Sequence, residues 1–471
     1  MNCQAFRTRI VPEEPTFSPP EIMLRVDELF RAEKSLDLHA VVAGKLENLR
    51  HYDVQAMDRV AAILMWGRSG SVLLASYLDG HEDVLMLPEL ASQRLYWFYE
   101  CYPSLPLGDK LMAYAAFDDD YPMFFEGKSA IARAQYYAAV QAILEFYRDW
   151  PAEFLESRRT FFLFVHFAYH LALGRRPAHS NPLIVHAQHV WDEKAARMLV
   201  EDFPQAKFIH TVRDPISSCD GSFHFHLKIV EKHILLPYTA LFNLTGKDRP
   251  HPGMESRTRT VRFEDLHRDT TETIRDLADW LGLPFQAPLL ESTFNGVPYV
   301  ITRDGTAWTG RSLEQLKRHS WDLSRKDRAL LFAAFYDNFV EWDYPCPAII
   351  GNPLVRCLVF LAFVLLPMKM EFVAARAVLR LAILPAIKEG DVASVMMYLL
   401  GIGLCRLKII WLLSSSFLRR LAFGATLLEV HKPRPAEPFD PASVTSTTLS
   451  ELGASFSEPV GHTVSRRGVE L

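Results

Sequence analysis

The chain has 471 residues, 49% of them hydrophobic and 23% charged, enough for one large folded core or two to three ordinary ones. A net charge of -5 gives no overall basic field, which argues against nucleic acid as a partner of the whole chain. The cysteines are scattered without a C-x-x-C pair, which excludes a disulfide framework or zinc ribbon and fits a reducing, cytoplasmic setting; the opening "MNCQAFRTRIVPEEP" lacks the apolar stretch of a cleaved secretory signal.

In chain order, residues 1–54 read as a loose arm leading into one or two helices, with apolar residues at helical spacing in "PPEIMLRVDELFRAEKSLDLHAVVAGKLENL". Residues 55–345 read as an α/β domain. Its first strand, 60–65, runs into the turn "GRSGS" and then a helix. A helical insertion at about 91–180 follows, crowded with aromatics as in "RLYWFYECY" and "TFFLFVHFAYHLALG", which serve either helix packing or an apolar acceptor pocket. The alternation then resumes with strands in "NPLIVHAQHV", "AKFIHTVRDP" and "RTVRFEDL", and with a helix in "TTETIRDLADWLGLP". Strands alternating with helices predict a three-layer sandwich around a central parallel sheet, with ligands at the carboxyl ends of the strands.

Residues 353–432 are apolar and helical, with ten Lys plus Arg against four Asp plus Glu. Arg356, Arg406 and Lys408 interrupt the apolar runs, so simple spanning helices are discounted. Two readings stay open: peripheral contact with an anionic membrane, or a helical bundle packed on the core or on a second subunit as a homodimer. Residues 433–471, rich in Pro, Ser and Thr, read as a disordered tail.

The chemistry begins at "GRSGS". A strand feeding a glycine turn and then a helix aims backbone N–H groups and the positive end of the helix dipole at one point. Gly67 and Gly70 permit close backbone approach, Ser69 and Ser71 can donate, and Arg68 can grip an anion with a planar fork. An ATP-binding P-loop would need Lys and a hydroxyl after its last glycine, whereas Ser71 and Val72 follow Gly70. The loop therefore predicts an anion cradle of P-loop-like shape without the ATP signature.

Three blocks in order, spanning roughly 60–285, resemble the sulfotransferases that use 3′-phosphoadenosine 5′-phosphosulfate (PAPS) as donor. "GRSGSVLLASYLDGHEDVLMLPE" is similar to their 5′-phosphosulfate loop, "FPQAKFIHTVRDPISSCDGSF" to their 3′-phosphate segment, and "VRFEDLHRDTTETIRDLADWLGLPF" to a third, less site-specific block. The resemblance implies a P-loop NTPase-like fold and an enzyme that moves a sulfuryl group to an acceptor hydroxyl. Arg68, Ser69, Gly70, Ser71 and Val72 would hold the 5′ end, and Arg213 with a downstream serine the 3′ phosphate. Arg68 would also meet the charge that grows on the leaving oxygen. Glu89 stands at the position of the tyrosylprotein branch's base, while His186 and His189 stand near that of the cytosolic members' histidine. In "TRDGTAWTGRS", Arg303 and Arg311 flank glycines where the family carries a late basic loop over the donor.

Two positions depart from the family pattern. Val72 replaces a hydroxyl, a loss of one hydrogen bond of about 1 kcal/mol. Eight residues beyond Arg213 stands Gly221, with Ser222 at nine, so the serine is either Ser222 or Ser218. His166 with His170 and His224 with His226 lack the companions of a zinc site, and no metal is expected. A non-catalytic nucleotide-binding relative and a P-loop kinase are the alternative functions. The aromatic insertion and apolar basic C-terminus favour a lipid or other hydrophobic alcohol as acceptor over a sugar.

Overall fold

The computed structural model describes residues 17–30, 38–50, 52, 54–64, 69–87, 92, 94–117, 131–176, 178–188, 193–229, 235–246, 254–303, 306–316 and 323–423. Five strands, β1 (Val60–Leu64), β2 (Val84–Met86), β3 (Leu183–Gln188), β4 (Lys207–Val212) and β5 (Thr258–Arg262), form one parallel sheet in the order β2-β3-β1-β4-β5. Every residue of the central β1 is buried, as expected of a strand covered on both faces.

Side-chain alternation divides the sheet into two apolar layers. Ala62, Ile184 and Phe208 face an aromatic cluster, while Ala61, Ile63, Val185 and Ile209 face a second cluster containing Leu74, Ile274 and Leu277. The second layer is built by α3 (Ser71–Leu78) and α12 (Thr270–Leu281), the latter ended by Gly282 at φ 75. The aromatic layer takes α1 (Pro19–Phe30), α2 (Leu38–Leu49), α4 (Leu95–Cys101), α5 (Leu107–Ala116), α6 (Arg133–Phe146), α7 (Arg158–Ala172) and α8 (Glu193–Asp202). The three-layer α/β sandwich with a central parallel sheet is therefore present.

The aromatic run of the insertion is a packing device. Phe98 sits 4.7 to 6.0 Å, centroid to centroid, from Tyr102, Tyr114, Phe117 and Phe161. α7 is buried from Thr160 to Ala172, the mark of a helix inside the core, and Ser157 caps its start by accepting from the Thr160 N–H at 3.1 Å. His166 and His170 lie on this helix, and burial pushes both down to about 3, so both are neutral.

After β4 come α9 (Pro215–Ile229) and α10 (Leu236–Gly246), and after β5 comes the single turn α11 (Asp265–Arg268). A short pair, β6 (Thr293–Phe294) and β7 (Val297–Pro298), is closed by Asn295 at φ 54 and Gly296 at φ 74, the two positive angles of a hairpin turn. The segment "TRDGTAWTGRS", expected as a loop, is instead largely an antiparallel hairpin of β8 (Val300–Arg303) and β9 (Thr306–Thr309). β-branched and aromatic residues at 300, 301, 306, 308 and 309 outweigh the glycine signal read there.

The C-terminal region is helical: α13 (Arg325–Ala334), α14 (Tyr336–Glu341), α15 (Pro353–Leu365), α16 (Lys369–Val378), α17 (Leu384–Lys388) and α18 (Val392–Phe423). α18 runs unbroken for 32 residues, and by length and composition its Val392–Ala422 stretch could cross a membrane. Arg406 and Lys408 do not interrupt it. Arg406 donates to Glu371 Oε1 at 2.8 Å, and Lys408 lies over the Tyr238 ring at 5.7 Å. From Cys405 to Phe417 one face of α18 joins a third apolar cluster with Phe223, Leu241, Phe335 and Phe339. The expected tail, 433–471, lies outside the described residues.

Phe162 joins α7 to the sheet through contacts with Phe203 at 5.0 Å and His186 at 5.3 Å. Phe162→Ala is expected to lower the free energy of unfolding by about 3–5 kcal/mol in urea denaturation; a loss below about 1 kcal/mol would mean that the layer repacks freely.

Candidate functional site

The site is assembled at the carboxyl ends of β1 and β4. Met65 to Arg68 lie outside the described residues, and the loop is described again from Ser69. Ser69 is fully buried, with its Oγ 2.8 Å from Thr211 Oγ1, which ties the loop to β4. Gly70 precedes α3 at φ 92, and a Cβ built on it would stand 2.2 Å from Cδ2 of Phe263. Glycine is required there twice over, by backbone angle and by space. Ser71 opens α3 and is buried. Val72, standing where the family carries a hydroxyl, packs against the second apolar cluster.

Phe263 is also the platform for Arg213. The guanidinium carbon of Arg213 lies 4.4 Å from the Phe263 ring centroid, and Arg213 is 4% exposed. One ring thus touches the turns that follow both β1 and β4. Phe263 is fixed in turn by its N–H, which donates to the Val212 carbonyl at 2.8 Å and extends the β4–β5 pairing.

The next residue, Glu264, holds the turn after Arg213. Its Oε1 accepts from the Asp214 N–H at 3.2 Å and its Oε2 from the Tyr344 hydroxyl at 2.6 Å. Burial raises the Glu264 carboxyl above its ordinary range against the opposing pull of Arg213 and Tyr344. Burial, then the nearby Glu264, pushes the Tyr344 phenol far up, so it stays a hydrogen-bond donor. Asp214 caps α9 by accepting from the Ser217 N–H at 2.7 Å, and Pro215 takes the first helical position.

α9 also bears on the serine question. A Cβ at Gly221 would lie 3.8 Å from Nη1 of Arg213, so the helix passes close to the guanidinium at Gly221. Ser222 is buried one step, about 100°, around the helix, and Ser218 is buried one turn earlier. α9 begins at Pro215, directly after Asp214, with no longer turn between them.

The remaining candidates are dispersed. Arg68, Glu89 and His189 fall outside the described residues. His186 is 2% exposed on the aromatic face of β3, with Tyr96 at 6.0 Å and Phe162 at 5.3 Å, the setting of a core histidine. Arg303 ends β8 and its side chain is outside the described residues. Arg311 is exposed and clamps the end of α11, Nε donating to the His267 carbonyl at 3.0 Å and Nη2 to the Arg268 carbonyl at 3.2 Å. Among the described residues no group of three His, Cys, Asp or Glu is placed to hold a metal ion. A cavity of about 350 Å³, lined by Gly80, His81, Arg175 and Glu291, lies at the far end of α3 from the loop.

Phe263 and Glu264 were missed as site residues in the sequence, where their block was read as the least site-specific. Their available signal was position, directly after a strand neighbouring the one that ends in Arg213.

The description "Sulfotransferase family" belongs to the family model that matches residues 62–287, which contain Ser69, Gly70, Arg213, Gly221, Phe263 and Glu264. Residues 62–287 are a sulfotransferase-family domain. Among curated proteins, the omega-hydroxy-beta-dihydromenaquinone-9 sulfotransferases of Mycobacterium bovis and Mycobacterium tuberculosis are each 28% identical over 152 residues, 28% of this chain and 35% of theirs. The match thus spans about a third of those relatives. Among solved structures, the sulfotransferase domain of the Synechococcus PCC 7002 olefin synthase is 17% identical, covering 68% of this chain and 92% of that one at a TM-score of 0.31. The sulfotransferase domain from the curacin biosynthetic pathway is 16% identical, covering 62% and 99% at 0.31. At these scores the likeness bears no weight, and the fold rests on the sheet described above.

The contact between Gly70 and Phe263 can be measured directly. Gly70→Ala is expected to destabilise the protein by about 1–3 kcal/mol, from the positive φ and the clash together. In a double-mutant cycle, adding Phe263→Ala should recover the steric part, giving a coupling of at least about 0.5 kcal/mol. Strict additivity in thermal or urea unfolding would show that the ring does not meet the loop.

Proposed function

We propose that the chain is a sulfotransferase that moves a sulfuryl group from PAPS to the hydroxyl of a hydrophobic, lipid-like acceptor. The observation that carries this reading is the single Phe263 ring touching Gly70 of the loop and Arg213 at the end of β4. PAPS is an anion at two ends, with a 5′ phosphosulfate and a 3′ phosphate, so it needs two cation-bearing strand ends at a set separation. ATP has no 3′ phosphate and gives Arg213 nothing to hold.

In this reading the backbone N–H groups at Ser69 to Val72 and the guanidinium of Arg68 hold the 5′ end. Arg213, with Ser218 or Ser222, holds the 3′ phosphate, while Gly221 leaves room beside the guanidinium. Arg303 and Arg311 belong to the late basic segment beside the donor. Arg311's present bonds to two carbonyls suit it to holding that segment in place.

The reaction is a direct displacement. The acceptor oxygen forms a bond to sulfur as the bond from sulfur to the nucleotide's phosphate oxygen breaks. Charge grows on that leaving oxygen, where Arg68 and the loop N–H groups meet it. The acceptor proton passes to Glu89, taken as the base in preference to His186 and His189. The core setting of His186 supports that preference. The acceptor class rests on the apolar, basic C-terminal region of this chain and on relatives named for a hydroxylated menaquinone.

Arg213→Ala is expected to weaken 3′-phosphoadenosine 5′-phosphate about 10- to 100-fold in calorimetry, the loss of a charged hydrogen-bonding partner of about 1.5–3 kcal/mol. Unchanged affinity would place the 3′-phosphate site elsewhere. For the acceptor, incubation with labelled PAPS should transfer label to long-chain or isoprenoid alcohols and not to soluble sugars; robust sulfation of sugars with none of lipid alcohols would overturn the acceptor class. Glu89→Gln should lower kcat by about 100-fold or more with donor affinity unchanged, and a full-rate variant would remove Glu89 as base.

A further inference from the structure

We propose that α18 is an in-plane membrane anchor that seats the chain on the surface of an anionic bilayer without crossing it. The helix carries ten large apolar side chains in the open. Val392 is 71% exposed, Leu400 65%, Leu407 62%, Trp411 68% and Leu418 60%, and Met396, Met397, Leu399, Leu404 and Leu421 are also exposed. At 100° per residue they fall on one arc of roughly 160°, dense from Val392 to Trp411 and resumed at Leu418 after Ser414 and Ser415, along a helix of about 48 Å. An apolar arc of that width and length is far beyond the scattered apolar residues of an ordinary surface.

The opposite face decides between lying in a bilayer and spanning one. Cys405, Ile409, Leu412, Leu413, Ser416, Phe417 and Arg420 are buried, and Phe417 stacks on Phe360 of α15 at 4.4 Å. The second half of α18 is thus packed on the globular body and is not free to be wrapped by lipid on all sides. A helix with its back on protein and its front apolar has the build of an interfacial helix. Leu354, Leu358 and Leu361 form an exposed stripe on α15, and Leu379, just after α16, and Leu384 and Ile387, on α17, are exposed as well.

Charge selects the occupant. From 353 to 423 the chain has nine Lys plus Arg against three Asp plus Glu. Arg406 and Lys408 stand at the two edges of the exposed arc, and Arg376, Arg380, Lys388 and Arg419 are exposed. An anionic lipid surface complements this pattern. A second copy of the chain, related by a two-fold axis, would set this basic surface against an identical basic surface.

The inference is independent of the sulfotransfer reading, because vesicle binding requires no turnover. The full chain should float with vesicles of phosphatidylglycerol and phosphatidylcholine and bind pure phosphatidylcholine at least about tenfold more weakly. Leu400→Glu with Leu407→Glu should reduce binding to the anionic vesicles at least about tenfold without lowering the melting temperature, since both sites are exposed. A Glu389→Cys variant at the α17–α18 turn should gain one adduct over the parent from an impermeant maleimide added outside sealed vesicles. Unimpaired binding of the double variant would overturn the proposal. So would protection of position 389 that is lost when the maleimide also reaches the vesicle lumen, which would mean that the turn crosses the lipid, or a lipid-free dimer in light scattering that the double variant dissociates.

Discussion

The geometry of the candidate site depends on one contact, the Phe263 ring held between Gly70 and Arg213. Remove the ring and the loop after β1 loses its stop, while the arginine after β4 loses the surface that aims it. The contact exists because β1, β4 and β5 are adjacent in that order, so the residues just past their carboxyl ends are neighbours. A glycine on one side and a delocalised cation on the other are the two partners that tolerate an aromatic face at such range. A cation over a ring in a desolvated setting is worth about 2 kcal/mol, enough to keep Arg213 ordered before any anion arrives.

Around that contact the polar groups are arranged for rigidity. Glu264 links the Asp214 backbone to the Tyr344 hydroxyl, and Asp214 caps the helix that carries Gly221 past the guanidinium. Burial of a carboxylate is costly, and the hydrogen bonds from Asp214 and Tyr344 with the nearby Arg213 offset that cost. A phosphate beside Arg213 would thus meet a cation already oriented. Preorganisation of this kind suits a displacement in which positioning and charge stabilisation carry most of the rate.

The sheet and the two turns that follow β1 and β4 were legible because each is a local pattern: an apolar run, a turn of Gly, Ser or Asp-Pro, then a helix. Phe263 was not legible as a site residue, because its role comes from proximity in space to residues 70 and 213 and leaves no mark in spacing. His186 shows the converse. Alternation along β3 sends it with Ile184 into the aromatic layer, but both faces of that strand are apolar, so the sequence carried no sign of which way it pointed. In α18 the charges at 406 and 408 looked like interruptions until their partners, Glu371 and the Tyr238 ring, were known. "TRDGTAWTGRS" read as a loop because its glycines are local signals, whereas the register pairing Ile301 with Trp308 is a cross-strand property.

The central claim is that two strand ends grip the two anionic ends of one nucleotide. Its most direct test is calorimetric titration of the unmodified protein with 3′-phosphoadenosine 5′-phosphate and, separately, with ATP. The account predicts that the bisphosphate binds at least about tenfold more tightly, a difference of about 1.4 kcal/mol in the direction that a held 3′ phosphate gives. ATP binding as tightly as the bisphosphate would contradict it.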